Sequence, residues 1–299
     1  MSEKRYEVSV LVPIYNVEKY IEQCARSILE QSYDNLEILF IDDATPDNSI
    51  MLLRAILEDY PNRHVKIISH SENRGLAMAR KTGIDHATGE YIFHVDSDDY
   101  LERNAIELCV NASQSGQHDL VFGNFRHIYP NRSVEFVRKE ASSIDDMVCD
   151  ILIRKQPCNI WGILIRKSLY KDLEIPSLDN GEDFVTLPRL VYRSHSIGFV
   201  KEFVYNYTHL NQSSFQFNRL NKKNRQDYKQ VCLFLSNFFC NKMLSSDKYQ
   251  KAVSIMNLNF FASDLIYSYN LKALRSLSFP KEIFCKEYLR ELKWTHRIM

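Results

Sequence analysis

The stretch TGEYIFHVDSDDYL, residues 88–101, joins a short apolar run to a cluster of three carboxylates. Tyr91 to Val95 has the composition of a β-strand, and it ends directly at Asp96-Ser97-Asp98-Asp99. Three negative charges where a strand leaves the core are costly unless a positive group lies beside them. Oxygen ligands at positions i and i+2 suit a hard divalent cation such as Mg²⁺ or Mn²⁺. An Asp-rich turn that caps the next helix is the plain alternative, and this stretch alone leaves both open.

The composition is that of an ordinary globular protein with balanced charge. The 299 residues are 45% hydrophobic and 25% charged, and 38 basic residues match 38 acidic ones. This length predicts one large domain, or one domain with an added subdomain. The charge is uneven, because fifteen Lys and Arg but only six Asp and Glu follow position 218. Such a basic end is typical of a solvated helical face or of a surface that approaches anionic lipid headgroups.

Cysteine usage and apolar run lengths predict a cytoplasmic protein. The seven cysteines include no C-x-x-C pair, and most lie in apolar surroundings, as buried free thiols do. The N-terminus, MSEKRYEVSVLVP, has only a strand-length apolar run and is not expected to be a signal peptide. No run of 18 apolar residues is present, so no transmembrane helix is expected. Any membrane contact would be peripheral, on the inner face of the cell membrane.

Strand and helix patterns alternate over the first hundred residues. Strands are predicted at 8–12, 36–41, 65–68 and 91–95, and helices at 16–31 (with Asn16 as N-cap), 49–60 and 76–87. This alternation gives right-handed crossovers and a parallel sheet. Polar residues follow all four strands, namely Tyr15-Asn16, Asp42-Asp43, Asn73-Arg74 and Asp96 to Asp98. They should therefore converge on one sheet edge, where ligands bind in open α/β sheets.

The rest of the chain predicts further strands and then a helical end. Helices are expected at 104–115, 144–154 and 181–193, and strands at 120–125, 134–137, 159–165 and 198–207. Residues 1–217 are predicted to form the domain that carries this sheet, and residues 218–299 a helical C-terminal extension. That extension would contact a substrate, a membrane surface or a second copy in a homodimer. No dinucleotide, P-loop or nucleic-acid-binding motif is present, so no nucleic-acid partner is expected.

The carboxylates suit the chemistry of a departing nucleoside diphosphate. A cation held by Asp96 and Asp98 would bind diphosphate oxygens and stabilise the negative charge of the leaving group. A base is then needed to deprotonate an attacking hydroxyl. Glu182-Asp183, at a step from loop to helix, is the candidate. The plain alternative for Asp183 is an acidic residue that complements the helix dipole.

Three other side chains offer contacts for a nucleotide. Tyr15 offers an aromatic face to a base, and Asp43 offers an acceptor to a ring N–H. Arg74 or Arg80 offers charge-assisted bonds to phosphate, or holds an aspartate in place. Each also has a structural interpretation, as a turn aromatic, a capping residue or a surface charge, and the residues alone do not decide between them.

Three stretches in this order carry a family resemblance. They are VSVLVPIYNVEKYIEQCARSILEQSYDNLEILFIDDATPDNS (8–49), ENRGLAMARKTGIDHATGEYIFHVDSDDY (72–100) and NGEDF (180–184). Together they resemble the family 2 glycosyltransferases, densely over about residues 6–101 and more sparsely to about 215. The resemblance implies the GT-A fold, a Rossmann-like, mainly parallel α/β sheet flanked by helices.

The resemblance also implies a role for each matching position. The nucleotide-binding residues implied are Pro13, Tyr15, Asn16, Asp43, Asn73, Gly75, Arg80 and Asp96. Tyr15 would stack on uracil and Asp43 would bond its imide. The metal ligands implied are Asp98, Asp96 and His209, with Asp96 and Asp98 matching the D-x-D motif. The adjacent Asp99 is expected to belong to the turn and to the cap of the following helix. Asp183 resembles the catalytic base, and Glu182 would contact the acceptor or the donor sugar.

The activity implied is inverting transfer from a UDP-sugar, assisted by Mn²⁺ or Mg²⁺. The acceptor would be a hydroxyl of a glycan or a lipid-linked saccharide, as in bacterial capsule, lipopolysaccharide or teichoic acid synthesis. Three positions depart from the family pattern: the loop ATPDN (44–48), Lys81 and Thr208. A nucleotidyltransferase is one alternative, but VPIYNVEKY has no glycine for a phosphate loop. A degenerate nucleotide-sugar-binding subunit is the other, and Asp96, Asp98 and Asp183 argue against it.

Overall fold

A computed structural model of the chain describes residues 7–178, 180–211, 222–240 and 246–268. The chain divides into two compact units. The first comprises Met1–Glu140, Asn159–Asp179 and Arg193–Ser214, and the second comprises Ala141–Cys158, Asn180–Tyr192 and Phe215–Met299. Two earlier segments thus belong to the same unit as the C-terminal helices. The predicted domain boundary at residue 217 stays a prediction.

One nine-stranded sheet organises the first unit. The strands are β1 (Val8–Ile14), β2 (Leu36–Asp42), β3 (His64–Ser69), β4 (Tyr91–His94), β5 (Tyr100–Leu101), β6 (Leu120–Tyr129), β7 (Arg132–Phe136), β8 (Ile163–Arg166) and β9 (Ile197–Thr208). Their order is β3-β2-β1-β4-β8-β6-β9-β5, with β7 paired to β6. The first four strands are parallel, β8 runs antiparallel to β4 and β6, and β6 and β9 are parallel. The predicted mixed, mainly parallel α/β sheet is confirmed.

Eight α-helices accompany the strands in the part of the chain that the structure describes. They are α1 (Ile21–Leu29), α2 (Ser49–Leu57), α3 (Leu76–His86), α4 (Ala105–Gly116), α5 (Ile144–Leu152), α6 (Glu182–Arg193), α7 (Lys222–Phe239) and α8 (Asp247–Ser268). Helices α7 and α8 agree with the predicted helical extension, while residues 269–299 of that prediction lie outside the described residues. No helix among the described residues is long and apolar enough to cross a membrane.

The apolar strands explain why the sheet forms as predicted. β1 is buried along its whole length, as expected of a parallel strand that is covered on both faces. Helix α3 packs closely, since a Cβ added at Gly83 would lie 3.1 Å from the Ile41 side chain. The turn before β4 is equally tight, since a Cβ at Gly89 would lie 2.7 Å from the backbone nitrogen of Ser9. These close approaches fix the ends of β1, β2 and β4 relative to one another.

Two predicted boundaries were wrong for local backbone reasons. The first helix begins at Ile21 and not after Asn16, because Asn16 has φ 55° and lies in a turn before the helix. The backbone N–H groups of Tyr20 and Ile21 donate to the carbonyl of Val17. The eighth strand begins at Ile163 and not at residue 159, because Gly162, with φ 67°, bends the chain just before it.

Candidate active site

The predicted polar residues lie at the carboxyl edge of β2, β1 and β4, which are neighbours in the sheet. Pro13 is buried within β1, while Tyr15 and Asn16 follow that strand and are exposed. Asp43 follows β2, and Asp96 lies two residues after β4. Parallel strands end at the same edge, so the fold brings these residues to one region, as the sequence predicted.

Asp43 organises the loop that follows β3. Its carboxylate is buried and accepts hydrogen bonds from the backbone N–H groups of Arg74 and Gly75, both at 2.8 Å. It also contacts Nδ1 of His70 at 2.7 Å, and the other ring nitrogen of His70 lies 2.9 Å from Oγ1 of Thr82. Asp43 therefore fixes the loop that carries the predicted residues Asn73 and Gly75.

The loop after β2 is tied to the turn after β1. The backbone N–H of Asn16 donates to Oγ1 of Thr45 at 2.9 Å, and that of Glu18 donates to Asp47 at 2.9 Å. Asp47 also accepts from the hydroxyl and backbone N–H of Ser49. Ala44 has φ 54°, a left-handed conformation that is uncommon outside glycine. The ATPDN loop thus has its own set of bonds, which hold the exposed Tyr15 beside it.

Arg80 holds the first aspartate of the D-x-D motif. The buried guanidinium, which α3 carries, donates from Nη2 to Oδ1 of Asp96 at 2.6 Å. The backbone N–H of Asp96 donates to the Tyr205 hydroxyl at 3.0 Å. Because Arg80 pairs with Asp96, this arginine restrains the carboxylate and offsets its charge.

Asp98 is held from the far end of β9. Nδ2 of Asn211 donates to Oδ2 of Asp98 at 3.0 Å, and the Thr208 hydroxyl donates to the Asp98 carbonyl at 2.7 Å. Burial and then the negative charge of Asp96 raise the pKa of Asp98 to about 6, although the bond from Asn211 lowers it. Asp98 is therefore a carboxylate whose charge is poorly compensated by the protein around it.

Asp99 has a structural role that differs in detail from the predicted one. It belongs to the turn, as its backbone N–H donates to the Asp96 carbonyl at 3.0 Å, but α4 begins only at Ala105. Its buried carboxylate accepts instead from the Tyr205 hydroxyl at 2.8 Å and from the Thr208 N–H at 2.7 Å. The prediction that Asp99 caps the next helix was wrong, because strand β9 supplies closer donors.

The carboxylates of Asp96 and Asp98 are of the ligand type that suits a hard divalent cation, beside a third carboxylate at Asp99. Burial and the charges of Asp98 and Asp96 raise the pKa of Asp99 well above its ordinary value, so the cluster carries repulsion that a cation would relieve. Carboxylate oxygens are the ligands that Mg²⁺ and Mn²⁺ prefer. Among the described residues, no three His, Cys, Asp or Glu side chains form a group that would hold a metal. A cation on Asp98 and Asp96 would therefore take its other ligands from a diphosphate and water.

His209 lies among aromatic rings at the end of β9. Its Nε2 lies 2.8 Å from Nδ1 of His127, and its ring stacks on Tyr129 with centroids 4.1 Å apart. It is thus not part of a three-ligand group with the two aspartates. Its predicted role as a metal ligand stays a prediction.

Glu182 and Asp183 belong to the second unit, where they are the first residues of α6. Glu182 is buried and Asp183 is partly exposed. The helix follows Gly181, whose φ of 90° allows the sharp entry from the loop. The predicted step from loop to helix at this motif is therefore confirmed. The catalytic roles of the two residues remain predictions.

Four residues of this site were missed by the sequence predictions. They are His70, Tyr205, Asn211 and Cys24, whose thiol donates to the Asp96 carbonyl at 3.7 Å. His70 had a signal, since it stands directly after β3 at the edge where the other polar residues converge. Tyr205 and Asn211 had none, because their contacts with the D-x-D motif span more than one hundred residues.

Replacing Tyr205 by Phe is expected to destabilise the protein by about 1–3 kcal/mol, the cost of leaving buried polar groups without partners. The Asp96 N–H would lose its acceptor and the Asp99 carboxylate would lose a donor. Urea unfolding measures the change. Tyr192→Phe is the matched control, since the Tyr192 hydroxyl has no hydrogen bond to the residues that the structure describes and should change stability little. Equal effects of the two substitutions would contradict the assigned role of Tyr205.

Comparison with known proteins identifies relatives by sequence. The family model for glycosyl transferase family 2 matches residues 9–182. Glycosyltransferase GlyG of Streptococcus pneumoniae serotype 4 is 31% identical over 215 residues, covering 67% of this chain and 70% of GlyG. UDP-Glc:alpha-D-GlcNAc-diphosphoundecaprenol beta-1,3-glucosyltransferase WfgD of Escherichia coli is 25% identical over 223 residues, covering 74% and 84%. Two further relatives are longer, and the match covers 32% and 30% of their lengths.

A solved structure gives the same view of the fold. The crystal structure of S. aureus TarS 1-349 in complex with UDP-GlcNAc matches with a TM-score of 0.68 and 18% identity. The match covers 97% of this chain and 82% of that one. At this identity the likeness concerns the fold alone.

Proposed function

The chain belongs to glycosyl transferase family 2 and is a glycosyltransferase of the GT-A fold, and we propose that it uses a UDP-sugar in a metal-assisted, inverting transfer. The observation that carries this proposal is the turn from Asp96 to Asp99. There, Asp98 and Asp99, whose pKa values are raised, follow Asp96 and its partner Arg80 at the sheet edge where open α/β sheets generally bind ligands. Such a turn suits a diphosphate that is bound through a cation.

For the donor, we propose that the turn after β1 and the loop after β3 form the nucleotide pocket. Tyr15 has the exposed aromatic face that stacking on a base requires. Asp43 already accepts two backbone N–H groups, and a carboxylate has further lone pairs for a ring N–H of uracil. Pro13, Asn16, Asn73 and Gly75 shape the backbone around that base. The TarS complex with UDP-GlcNAc supports a uridine nucleotide by analogy of fold.

For the cation, we propose Asp98 as the first ligand and Asp96 as the second, with Mn²⁺ or Mg²⁺ as the ion. When bound, such an ion stabilises the negative charge of a departing diphosphate. Arg80 keeps Asp96 in position, and Asn211 keeps one oxygen of Asp98 directed toward β9. His209 is the third proposed ligand, and its Nε2 faces Nδ1 of His127 at 2.8 Å.

For the chemistry, we propose a single displacement in which Asp183 removes the acceptor proton. The acceptor oxygen then forms a bond to the anomeric carbon as the bond to the diphosphate oxygen breaks, which inverts the anomeric configuration. The electron pair of the broken bond leaves with UDP, and the proton stays on Asp183. Glu182 is proposed to contact the acceptor or the donor sugar. The supporting observations are the carboxylate type of these residues and their place at the start of α6.

For the acceptor, we propose a hydroxyl of a glycan or of a lipid-linked saccharide, at the cytoplasmic face of the membrane. The name of WfgD describes a diphosphoundecaprenol-linked acceptor, which supports this class by analogy. The basic charge that follows position 218 is compatible with a peripheral approach to anionic lipid. Alternatively, we propose that the C-terminal region forms the interface of a homodimer.

A screen of nucleotide sugars tests the donor proposal. We expect UDP-sugars with Mn²⁺ to raise the melting temperature, because a ligand that binds the folded state stabilises it by mass action. We also expect slow hydrolysis of one of these UDP-sugars without an acceptor. GDP- and CMP-sugars are the control and should give neither effect. Stabilisation by a GDP-sugar but not by any UDP-sugar would contradict the uridine assignment.

A further inference from the structure

Arg154 occupies a backbone position at which glycine is usual. It follows the end of α5, where its N–H donates to the Ile151 carbonyl at 3.1 Å and the N–H of Lys155 donates to the Asp150 carbonyl at 2.8 Å. This pair of bonds is a Schellman motif with Arg154 as the left-handed residue, at φ 64°. A side chain is strained in this conformation. The conformation therefore carries a cost, and it fixes the direction in which the backbone of Arg154 leaves α5.

The Arg154 guanidinium has only neutral partners among the described residues. Nη1 donates to Sγ of Cys158 at 2.8 Å, and Nη2 donates to the Tyr228 hydroxyl at 3.3 Å. The group also lies 3.7 Å from the centroid of the Phe184 ring. No carboxylate of the described residues forms an ion pair with it, and the side chain is partly exposed. A partly buried positive charge that faces neutral groups would gain from an anion.

This guanidinium lies at the start of the helix that carries the proposed base. Phe184, on which it stacks, directly follows Asp183. The Cys158 thiol is affected both by Arg154 and by the two carboxylates at the start of α6. Burial raises the pKa of this thiol most, Arg154 lowers it, and the charges of Asp183 and Glu182 raise it. The Arg154 guanidinium, which bonds to this thiol at 2.8 Å, and the charges of the two carboxylates thus act on the same group. All of these residues belong to the second unit.

We propose that Arg154 binds an oxyanion of the acceptor, a phosphate or a carboxylate, next to the hydroxyl that Asp183 deprotonates. The inference rests on the proposed function and specifies its acceptor as anionic. A guanidinium presents a planar fork of donors that matches two oxygens of such a group, which a lysine does not. An arginine that only tied α5 to α6 and α7 would also pack on Phe184, and the following measurements separate the two roles.

Binding of inorganic pyrophosphate in the absence of divalent cations tests the anion site directly. Without a cation, the Asp96–Asp99 turn repels an anion, and the comparison with Arg154→Gly isolates the part of the binding that depends on Arg154. We expect pyrophosphate to bind the full-length protein and to bind Arg154→Gly at least about tenfold more weakly, the scale of a lost charge-assisted hydrogen bond. Gln117→Gly is the matched control, because Gln117 ends α4 with φ 52° and an exposed side chain. It should bind as the wild type does. Equal binding by wild type and Arg154→Gly, or none by wild type, overturns the proposal.

Matched acceptors then distinguish phosphate from carboxylate. Three acceptors are compared: a sugar linked to a short-chain lipid diphosphate, an octyl uronide and a neutral octyl glycoside. We expect Arg154→Gly to raise the KM of one anionic acceptor at least about tenfold, with the neutral acceptor and UDP-sugar hydrolysis nearly unchanged. Arg154→Lys should recover part of the loss. Equal losses with charged and neutral acceptors would show a structural role and overturn the proposal. If the proposed function itself is wrong, the wild type will not hydrolyse any UDP-sugar, and this result is distinct from the outcomes above.

Discussion

Replacing Asp98 by Asn is expected to lower sugar transfer by at least about 10²-fold, because a bound cation supplies several kcal/mol of charge stabilisation to a departing diphosphate. The same substitution should abolish the stabilisation that Mn²⁺ gives to the wild type. Without metal, it should raise the melting temperature, because burial and the charge of Asp96 raise the pKa of Asp98 to about 6, so its ionised form opposes folding near neutral pH. Calorimetry with and without Mn²⁺, together with a transfer assay, measures these changes.

A neighbouring aspartate serves as the control for Asp98. Asp42 ends β2 at the same sheet edge, and its Oδ1 accepts from the Thr45 N–H at 3.0 Å. Asparagine keeps that acceptor and removes only the charge, so Asp42→Asn should retain activity within about threefold. Mn²⁺-dependent transfer at the wild-type rate by Asp98→Asn would refute Asp98 as a ligand. A comparable loss in Asp42→Asn would instead indicate that the edge needs negative charge in general.

The first half of the sheet was predictable because its signals are local. Runs such as Val8 to Val12 and the polar residues that follow each strand report directly on burial and on strand ends. The role of Glu37 was harder to predict, because it is a carboxylate inside a buried strand and its partners are not adjacent in sequence. In the structure it accepts hydrogen bonds from Ser9, Thr88 and Gly89, which tie β2 to β1 and to the turn before β4. Those partners lie up to 52 residues away in sequence, and only the folded sheet brings them together.

The site was predictable in its residue types and less so in its contacts. Asp43, Asp96 and Asp98 were predicted from their positions after strands and from the resemblance, and Arg80, which lies within α3, from the resemblance. The assignment of Asp99 to a helix cap failed because β9 supplies the Tyr205 hydroxyl, at 2.8 Å, from the other end of the domain. Strand β9 pairs with both β6 and β5. The residue pattern of one strand does not indicate which strands lie beside it. Local pattern therefore gives the candidate groups, and the second half of the sheet decides how they are held.

Replacing Asp183 by Asn is expected to lower transfer by at least about 10²-fold while UDP-sugar binding stays within about threefold, because a general base contributes on this scale and acts on the acceptor alone. The substitution keeps the size of the side chain and the backbone of the α6 N-terminus, so the folded state should persist. Single-turnover transfer measures the chemical step, and titration with UDP-sugar measures binding. Product analysis by NMR should show the inverted anomeric configuration for the wild type.

The alternative to a base is an acid that only complements the helix dipole, and Asp247 provides the comparison. It lies in the first turn of α8 in the same unit and is exposed, so Asp247→Asn removes a helix-terminal charge without touching the proposed chemistry. Transfer should be unchanged in that variant. A thiol in place of the acceptor hydroxyl sharpens the distinction, because a thiol ionises more readily and depends less on a base. Asp183→Asn should therefore lose much less activity with the thiol acceptor than with the hydroxyl. Equal losses with both acceptors would mean that Asp183 supports the structure or binds the acceptor and does not remove its proton.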